Sequence, residues 1–515
     1  MTIEFYFKIL IFKLLNTIIL KNYISMIKLT KLVLLFVFTT LINFNISAQM
    51  SNIKSTIDQI DAESHLRFLT ADELRGRNTG TIELNIAGRY LAEQFRKYGL
   101  DPLGDEEGDY TQKVNIIESK PPSEATASLN DKVFDIKLDL GYIDGENGII
   151  EGPIIYLEDL SELETTDLKG KIVVTVLGNP QAALTNIDQV KNMQKMGAIG
   201  LIEIYGRGQK FPWSVVARYL NSEKMNLGEI DSTKVLPRVW VNDTTDVFVE
   251  KLKKSGAGSN ATIKINNSMK KPIESYNIVG KIEGTDPILK DEHVIMCAHY
   301  DHIGVQSGKG LDSIYNGTRD NGIGTTGLIN AAKYFGLYPA KRSMIIIALT
   351  GEEKGLLGST YYTDNPKVAL EKSVFALNID NSGYTDIENI TLLDTARTNI
   401  DKLVYQAAKE AGLGVMGDRI PSQGYYERSD QVSFAKKGVP AVNFKMSMAA
   451  FDERISTYYH QPNDEFDSID RDYVYKYWIS YIRSAELISN WDQIPYWMPG
   501  DKFEEAGNKL YSKKQ

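Results

Sequence analysis

The feature that most constrains the fold of this chain is a series of apolar strands and helices from about residue 273 onward. The predicted strands read "HVIMCAHY", "SMIIIALT", "VFALNID" and "VPAVNFKM". The predicted helices read "GIGTTGLINAAKYFG", "NIDKLVYQAAKEAG" and "YVYKYWISYIRSAELISNW". Apolar strands that alternate with helices form a sheet covered on both faces. The sequence therefore predicts an α/β fold, a three-layer α/β/α domain with a central, mostly parallel mixed sheet.

Ionisable side chains follow these strands at the points where the strands end. The first strand runs into His299 and Asp301, and the second is followed by Glu352 and Glu353. The third is followed directly by Asp380. In sheets of this kind, functional residues collect at the carboxyl ends of the strands. We therefore expect these side chains to meet at one edge of the sheet.

Two further residues belong to the same pattern. Asp320 lies in "YNGTRDNGIG", between the first strand and its helix, and His460 lies in the turn-rich stretch "YYHQPNDEFDSID". Taken singly, each has an ordinary interpretation, such as a helix cap for Asp320 or a surface loop position for His460. Taken together, so many acids at one edge would repel one another and lose hydration unless a cation were present. The pattern predicts a metal centre.

The ligand types also indicate which metal and which chemistry to expect. Imidazole and carboxylate suit zinc, and two histidines with three carboxylates can hold two ions if one carboxylate bridges them. Such ions activate a water molecule, and a further acid that is not a ligand must take its proton. Adjacent glutamates can supply one ligand and one base. Asp301, two residues after His299, can accept the second imidazole N–H and fix the tautomer of the ring.

These residues resemble a known family, the co-catalytic dizinc exopeptidases. The family includes bacterial leucyl aminopeptidases, aminopeptidase Y and the glutamate carboxypeptidases. Five motifs carry the resemblance, in the family's order: "AHYDH", "TRDNGIG", "TGEEKGLLGS", "LNIDNSG" and "YYHQPNDEFDSI". The resemblance implies a peptidase domain that binds two zinc ions.

The metal ligands implied by the resemblance are His299, Asp320, Glu353, Asp380 and His460. In the family pattern, His299 and Asp380 would hold one ion, and Glu353 and His460 would hold the other. Asp320 would bridge the two ions, and its peptide bond to the next residue is often cis in the family.

The resemblance also implies catalytic roles. Glu352 would be the general base, taking a proton from zinc-activated water and then protonating the leaving amine, and Asp301 would assist catalysis. The stretch "RSDQVSFAKKGVPAV" resembles the family's substrate cleft, and either Tyr425 or Tyr426 just before it would support the oxyanion. The chain is thereby predicted to be a zinc-dependent aminopeptidase that removes N-terminal residues from peptides.

The same scaffold also supports other functions, and each would require particular residues. A carboxypeptidase or dipeptidase would need basic residues for a free carboxylate, and Arg319 and Arg428 are candidates. Arg319 replaces a residue that is usually small in the family, and we expect it to form a solvent-facing salt bridge. A glutaminyl cyclase uses a single zinc ion and normally lacks an inserted domain. A receptor-like binding protein would have lost metal ligands that this chain keeps.

The sequence as a whole is predicted to divide into four segments. Residues 1–48 read as a signal peptide, with Met26 as an alternative start, although two apolar runs also suit a membrane anchor. Residues 49–115 resemble the N-terminal part of the peptidase domain, and residues 273–515 its main part. Residues 116–272 are rich in short strands and resemble an inserted protease-associated domain, through "DLKGKIVVTVLG" and "KMGAIGLIEIYGRG".

The composition of the chain indicates which cellular compartment and which binding partners to expect. The single cysteine, Cys297, permits no internal disulfide, which fits a large bacterial enzyme exported to the periplasm or the medium. The formal net charge of −9 and the absence of a basic block in the sequence argue against nucleic acid as a partner. Peptides are the expected partners, with no membrane span after cleavage of the signal. The sequence favours no particular oligomeric state.

Overall fold

The computed structural model of the protein describes residues 49–512, apart from residues 159, 231–234, 244–248, 251, 253–258, 307–311 and 394. The predicted signal peptide lies outside the described residues. Within the described ranges, we find no helix with both the length and the apolar character that a membrane span requires.

The centre of the molecule is a mixed sheet whose middle strands are parallel. In order across the sheet, these strands are Ser343–Leu349, His293–His299, Ser373–Ile379 and Ala441–Met446. Every residue in them is buried. Strands covered on both faces read as continuous apolar runs, which is why all of them could be predicted from the sequence.

The flanks of the sheet are mainly antiparallel, so the sheet as a whole is mixed. On one side, Met269–Ile282 pairs antiparallel with Ser343–Leu349 and is followed outward by Thr111–Lys120 and Lys224–Leu227. On the other side, Asn389–Leu392 runs antiparallel to the last middle strand. The remaining strands of this sheet are Asp101–Pro102 and Gly414–Gly417.

Two hydrophobic cores lie on opposite faces of this sheet. Along the strand His293–His299, Val294 and Met296 belong to one core, and Ile295 and Cys297 belong to the other. This alternation follows from the two-residue period of a strand. The domain is therefore three-layered, as the sequence predicts.

Helices cover both faces. The helices on the first face are Gln59–Leu69, Ile82–Lys97, Ile323–Leu337, Asp401–Glu410 and Arg471–Asn490. The helices on the second face are Leu357–Asp364, Gln431–Lys436 and Glu504–Tyr511. The longest of them is preceded by Asp470, whose carboxylate accepts a 2.9 Å hydrogen bond from the Tyr473 amide and so caps the helix.

A second sheet forms most of the region between residues 124 and 266. Its strands, in order, are Lys132–Asp135, Glu124–Leu129, Asn260–Asn266, Gly148–Leu157, Ile172–Val176, Gly200–Tyr205, Arg238–Asn242 and Leu140–Asp144. The described helices of this region include Pro180–Thr185, Ile187–Lys195 and Trp213–Leu220. This sheet has its own core.

The two sheets are connected through a pair of long strands. Thr111–Lys120 and Met269–Ile282 pair with each other over ten residues each, and they contain the predicted boundaries at residues 116 and 272. Lys224–Leu227 leaves the second region and joins the central sheet beside them. The inserted region is thus tied to the central sheet by three strands.

The strand order also positions the expected site. The three strands Ser343–Leu349, His293–His299 and Ser373–Ile379 are parallel neighbours, so their carboxyl ends share one edge. Between the strand His293–His299 and the helix Ile323–Leu337, Gly304–Val305 pairs with Ile314–Tyr315 to form a short two-stranded ribbon.

We predict that Ile346→Ala destabilises the protein by about 2–5 kcal/mol, because it leaves a cavity in a close-packed core. Ile346 is fully buried in the middle of the central sheet. Ile288→Ala is the matched control, since Ile288 is 79% exposed and its truncation should change stability by no more than about 0.5 kcal/mol. Urea unfolding followed by circular dichroism measures both. Equal midpoints for the two variants would contradict the assigned core.

Candidate metal centre

The structure brings all five predicted metal ligands together at the carboxyl edge of the sheet. Among the described residues, potential ligand atoms form two groups, with the atoms in each lying within 4.8 Å of one another. One group is His299, Asp320 and Asp380. The other group is His302, Asp320, Glu353 and His460. Asp320 belongs to both groups, which is the arrangement expected of a bridging carboxylate.

His299 is the last residue of its strand and is fully buried. Its Nε2 lies 3.3 Å from Asp320 Oδ1 and 3.4 Å from Asp380 Oδ1. Its Nδ1 lies 3.1 Å from the main-chain oxygen of Asp301 and 3.9 Å from the carboxylate of the same residue. The main-chain oxygen of Asp301 therefore orients the His299 ring. The sequence alone did not indicate which oxygen of Asp301 would accept the imidazole N–H.

The carboxylate of Asp301 organises the neighbouring turn instead. It accepts a 2.9 Å hydrogen bond from the Thr79 hydroxyl, and bonds of 3.1 and 3.4 Å from the main-chain amides of Glu352 and Glu353. Burial raises the pKa of this carboxyl. Asp301 thus positions both glutamates that follow the strand Ser343–Leu349. Its carboxylate supports the site but belongs to neither group of potential ligands.

Asp320 lies in an irregular turn, Thr318–Gly322. Its peptide bond to Asn321 is cis, as the family resemblance implies. One carboxylate oxygen lies 3.3 Å from His299 Nε2, and the other lies 3.2 Å from His460 Nε2. Because the two oxygens face different rings, this carboxylate can contact two metal ions at once.

Glu353 contacts two imidazoles. Its Oε2 lies 3.2 Å from His460 Nε2, and its Oε1 lies 2.8 Å from His302 Nδ1. The sequence analysis assigned no role to His302, although it stands in the same "AHYDH" motif as His299. A histidine three residues beyond a ligand was the available signal. In the structure His302 is fully buried and orients Glu353, as partners of metal ligands commonly do.

The expectation for Arg319 is wrong. Its side chain is not solvent-facing but buried, and it donates hydrogen bonds to Asp464 at 2.9 Å and to the Ser468 hydroxyl at 2.7 Å. Its guanidinium also lies 3.8 Å from the centre of the Tyr458 ring. Asp464 further accepts from the main-chain amides of Arg319 and Asp320, at 2.9 and 3.2 Å. The arginine is buried because Asp464 replaces its hydration, and the pair holds the turn that carries Asp320.

The electrostatics of the centre favour a cation. Burial lowers the pKa of His460, but Asp320 and Glu353 outweigh burial and raise it to about 10. His299 is raised in the same way, against burial, by Glu352 and by its bonds to Asp320 and Asp380, so its pKa lies well above the ordinary value. Carboxylates that stabilise a proton on these rings would also stabilise a metal ion between them. The donor set of imidazole nitrogens and carboxylate oxygens fits zinc.

Glu352 lies beside these ligands but outside both groups. It lines the same cleft as Asp320 and Asp380. Burial raises the pKa of its carboxyl well above the ordinary value, against the attraction of His299. A carboxylate that lies next to the candidate ligands but outside both groups is what a general base requires.

The cleft over the centre encloses about 360 Å³ of space, including the part open to solvent. Besides the metal ligands and Glu352, the residues that matter in its wall are Ser382, Tyr425, Arg428, Asn443, Lys445 and Tyr459. Tyr425 is therefore the better candidate to contact substrate, since the Tyr426 hydroxyl is bonded to the main chain of Ala441. Tyr459, from the long segment before His460, stacks on the His460 ring at 4.0 Å.

The part of the chain that carries this site is similar to proteins of a known family. Residues 277–478 match the family model of Peptidase family M28, and they contain all five motifs. Aminopeptidase YwaD of Bacillus subtilis (strain 168) is 26% identical over 310 residues, which cover 60% of this chain and 60% of that protein. The vacuolar membrane protease of Saccharomyces cerevisiae (strain ATCC 204508 / S288c) is 30% identical over 155 residues, 30% of this chain and 14% of that protein. Both matches thus span less than two thirds of the relative's length.

A solved structure supports the fold. The aminopeptidase from Aneurinibacillus sp. strain AM-1 superposes with a TM-score of 0.54, and the superposition covers 88% of this chain and 98% of that chain. The identity is 20%, so the likeness concerns the fold. It agrees with the mixed α/β architecture described above.

We predict that Gly317→Ala disrupts the metal centre. Gly317 has φ +61°, and an added Cβ would clash with the main-chain oxygen of Asp320 and lie 2.6 Å from the His302 ring. Gly424→Ala is a matched control, because Gly424 has the same φ of +61° but open space around it. Both variants incur the left-handed strain of about 1–2 kcal/mol, and Gly317→Ala should lose about 1–3 kcal/mol more through overpacking.

Urea unfolding and the zinc retained per chain after dialysis measure the effect of these two glycine substitutions. Only Gly317→Ala should retain less zinc. Equal stability and equal zinc content in the two variants would contradict the geometry described for Asp320 and His302.

Proposed function

We propose that the chain is a zinc-dependent aminopeptidase that removes N-terminal residues from peptides, because residues 277–478 match the family model of Peptidase family M28. The observation that carries this proposal is the pair of imidazole–carboxylate groups that share Asp320, with Glu352 beside them in one cleft. The family match supports hydrolysis of peptide bonds. The name of the Bacillus subtilis relative supports cleavage at the N terminus.

We propose that two zinc ions bind, one in each group. His299 and Asp380 would hold one, Glu353 and His460 the other, and Asp320 would contact both. Bound zinc would polarise the substrate carbonyl and lower the pKa of a water molecule. The buried setting strengthens these interactions, because little bulk water competes with them.

The protein's own residues would move the proton. Glu352 takes a proton from the attacking water on its carboxylate and then donates it to the nitrogen of the leaving amine. Its place in the cleft, beside the candidate ligands and outside both ligand groups, suits both steps. Asp301 positions Glu352 by accepting its main-chain N–H, and Tyr425, which lines the cleft, would donate to the oxyanion.

We also propose that the protein is exported by a bacterial cell and that residues 116–272 are a protease-associated domain. The apolar run near the start and the lone cysteine support export. The separate second sheet, with its own core, supports an independent inserted module. Oligomeric state does not enter this proposal.

A carboxypeptidase or dipeptidase remains the second candidate, because Arg428 lines the cleft. Arg319, the other arginine considered for that role, is held by Asp464 and Ser468. A receptor-like binding protein has no comparable support, since all five ligands and Glu352 are present together.

The test is hydrolysis of a library of dipeptides with free amino groups beside N-acetylated copies, using zinc-loaded enzyme. We expect cleavage of the free-amino set only, abolished by a chelator and restored by zinc. Glu352→Gln should lower kcat by about 10²–10⁴-fold, the usual range for loss of a general base. Glu388→Gln, at an exposed glutamate outside the cleft, should leave kcat unchanged.

Each alternative has a distinct outcome in this assay. Equal cleavage of the acetylated copies would show that the enzyme reads the carboxyl end of its substrate. Full activity of Glu352→Gln would remove the proposed base. Failure of the wild type to cleave either set would overturn the peptidase proposal for the whole chain.

A further inference from the structure

The strand Ala441–Met446 carries a lysine where a fully covered strand normally carries apolar residues. Lys445 is 3% exposed, and its neighbours Phe444 and Met446 are fully buried in the core. Removing an ammonium group from water is unfavourable unless a negative or strongly polar partner replaces the hydration. The position of Lys445 therefore calls for such a partner.

Lys445 faces the metal centre and not the core. Asn443 and Lys445 are two residues apart, so their side chains lie on the same face of the strand, and both line the cleft. The Lys445 ammonium donates a 3.2 Å hydrogen bond to the main-chain oxygen of Asp380. An ammonium has three N–H donors, and this bond to a neutral oxygen uses one of them.

Two further groups in the cleft suit a negatively charged ligand. Arg428 is exposed at its wall, with its guanidinium 3.4 Å from the Tyr459 hydroxyl and 5.1 Å from the centre of the Tyr425 ring. Ser382 lines the same cleft, and its buried hydroxyl has no hydrogen-bond partner among the described residues. A carboxylate in the cleft could accept from the serine and from both cations.

The charges of the side chains in the cleft also favour a negatively charged ligand. In the cleft wall, the carboxylates of Asp320, Glu352 and Asp380 face the cations Arg428 and Lys445, and two bound zinc ions would offset the charge of these carboxylates. Lys445 and Arg428 would then face the cleft as excess positive charge. An anionic group on the ligand would compensate both, and in a site of low dielectric that interaction is strong.

We propose that this cleft is a carboxylate-binding pocket, in which Lys445 and Arg428 hold a substrate carboxylate close to the peptide bond that is cleaved. This inference rests on the proposed peptidase function and specifies its substrate class. The carboxylate is either the side chain of an acidic N-terminal residue or the free C terminus of a dipeptide. Lys445 acts here as a specificity residue, because it binds the substrate without taking part in proton transfer.

The competing explanation is purely structural. Lys445 also attracts the Asp380 carboxylate and, against the effect of burial, helps to lower its pKa. If that were its whole role, removing the charge would weaken the metal site and slow every substrate by the same factor. The ratio between a charged substrate and its neutral isostere separates the two explanations.

The experiment measures kcat/KM for two pairs of substrates. Glutamyl-p-nitroanilide against glutaminyl-p-nitroanilide tests a side-chain carboxylate. Leucyl-glycine against leucyl-glycinamide tests a C-terminal carboxylate. We expect the wild type to prefer the charged member of one pair by about 10- to 100-fold, mainly through KM, as for a charge-assisted hydrogen bond.

The variants assign that preference to a residue. Lys445→Gln should bring the ratio for that pair close to one, and Lys445→Arg should keep most of it. Lys436→Gln, at an exposed lysine on the neighbouring helix, should leave the ratio unchanged. Zinc content is measured for each variant, so that a loss of metal is recognised. A wild type without preference in either pair, or an unchanged ratio in Lys445→Gln, would overturn the proposal.

A binding measurement keeps this test separate from the peptidase proposal. Isothermal titration calorimetry with the zinc-loaded protein compares glutamate with glutamine, and leucyl-glycine with leucyl-glycinamide. Tighter binding of one charged ligand by about tenfold, lost in Lys445→Gln, supports the pocket even if no peptide is cleaved. Equal affinity within both pairs would exclude it, whatever the catalytic activity.

Discussion

The structure depends on holding several carboxylates and imidazoles within contact distance of one another away from bulk water. Asp320 is at the centre, with its two oxygens facing His299 and His460. Such a cluster is unfavourable by itself, because the acids repel and all the groups lose hydration. Hydrogen bonds between the two kinds of group offset part of this penalty, and the bound zinc that we propose would offset more. The surrounding fold supplies the fixed geometry that this compensation requires.

That geometry comes from distant parts of the chain. Arg77, buried in the N-terminal segment, donates to the main-chain oxygens of Tyr300, Asn316 and Gly317, which flank the ligand-bearing turns. Two residues later, Thr79 donates to Asp301, which in turn fixes the glutamates. The N-terminal segment is therefore a structural part of the site.

The supporting groups were harder to predict than the ligands, because their roles depend on contacts between distant residues. Arg319 was expected at the surface, yet its partner Asp464 lies 145 residues further on. His302 was visible in the motif, but only the fold shows that it binds Glu353. No role was predicted for Lys445, since periodicity does not reveal what a single buried charge in a strand faces. In each case the deciding quantity is a distance between side chains.

The sequence by itself determined the four middle strands of the central sheet, and it predicted five candidate ligands, three of them just after strands, with Glu352 as the acid left over for proton transfer. These follow from local periodicity and from the chemistry that each motif permits. Only the tertiary structure decided that the flanks of the sheet are mainly antiparallel, that Arg319 is buried, that Tyr425 and not Tyr426 lines the cleft, and that Lys445 faces the same cleft. The physical reason is that burial, pairing and side-chain direction arise from packing between elements far apart in the chain, which no local pattern records.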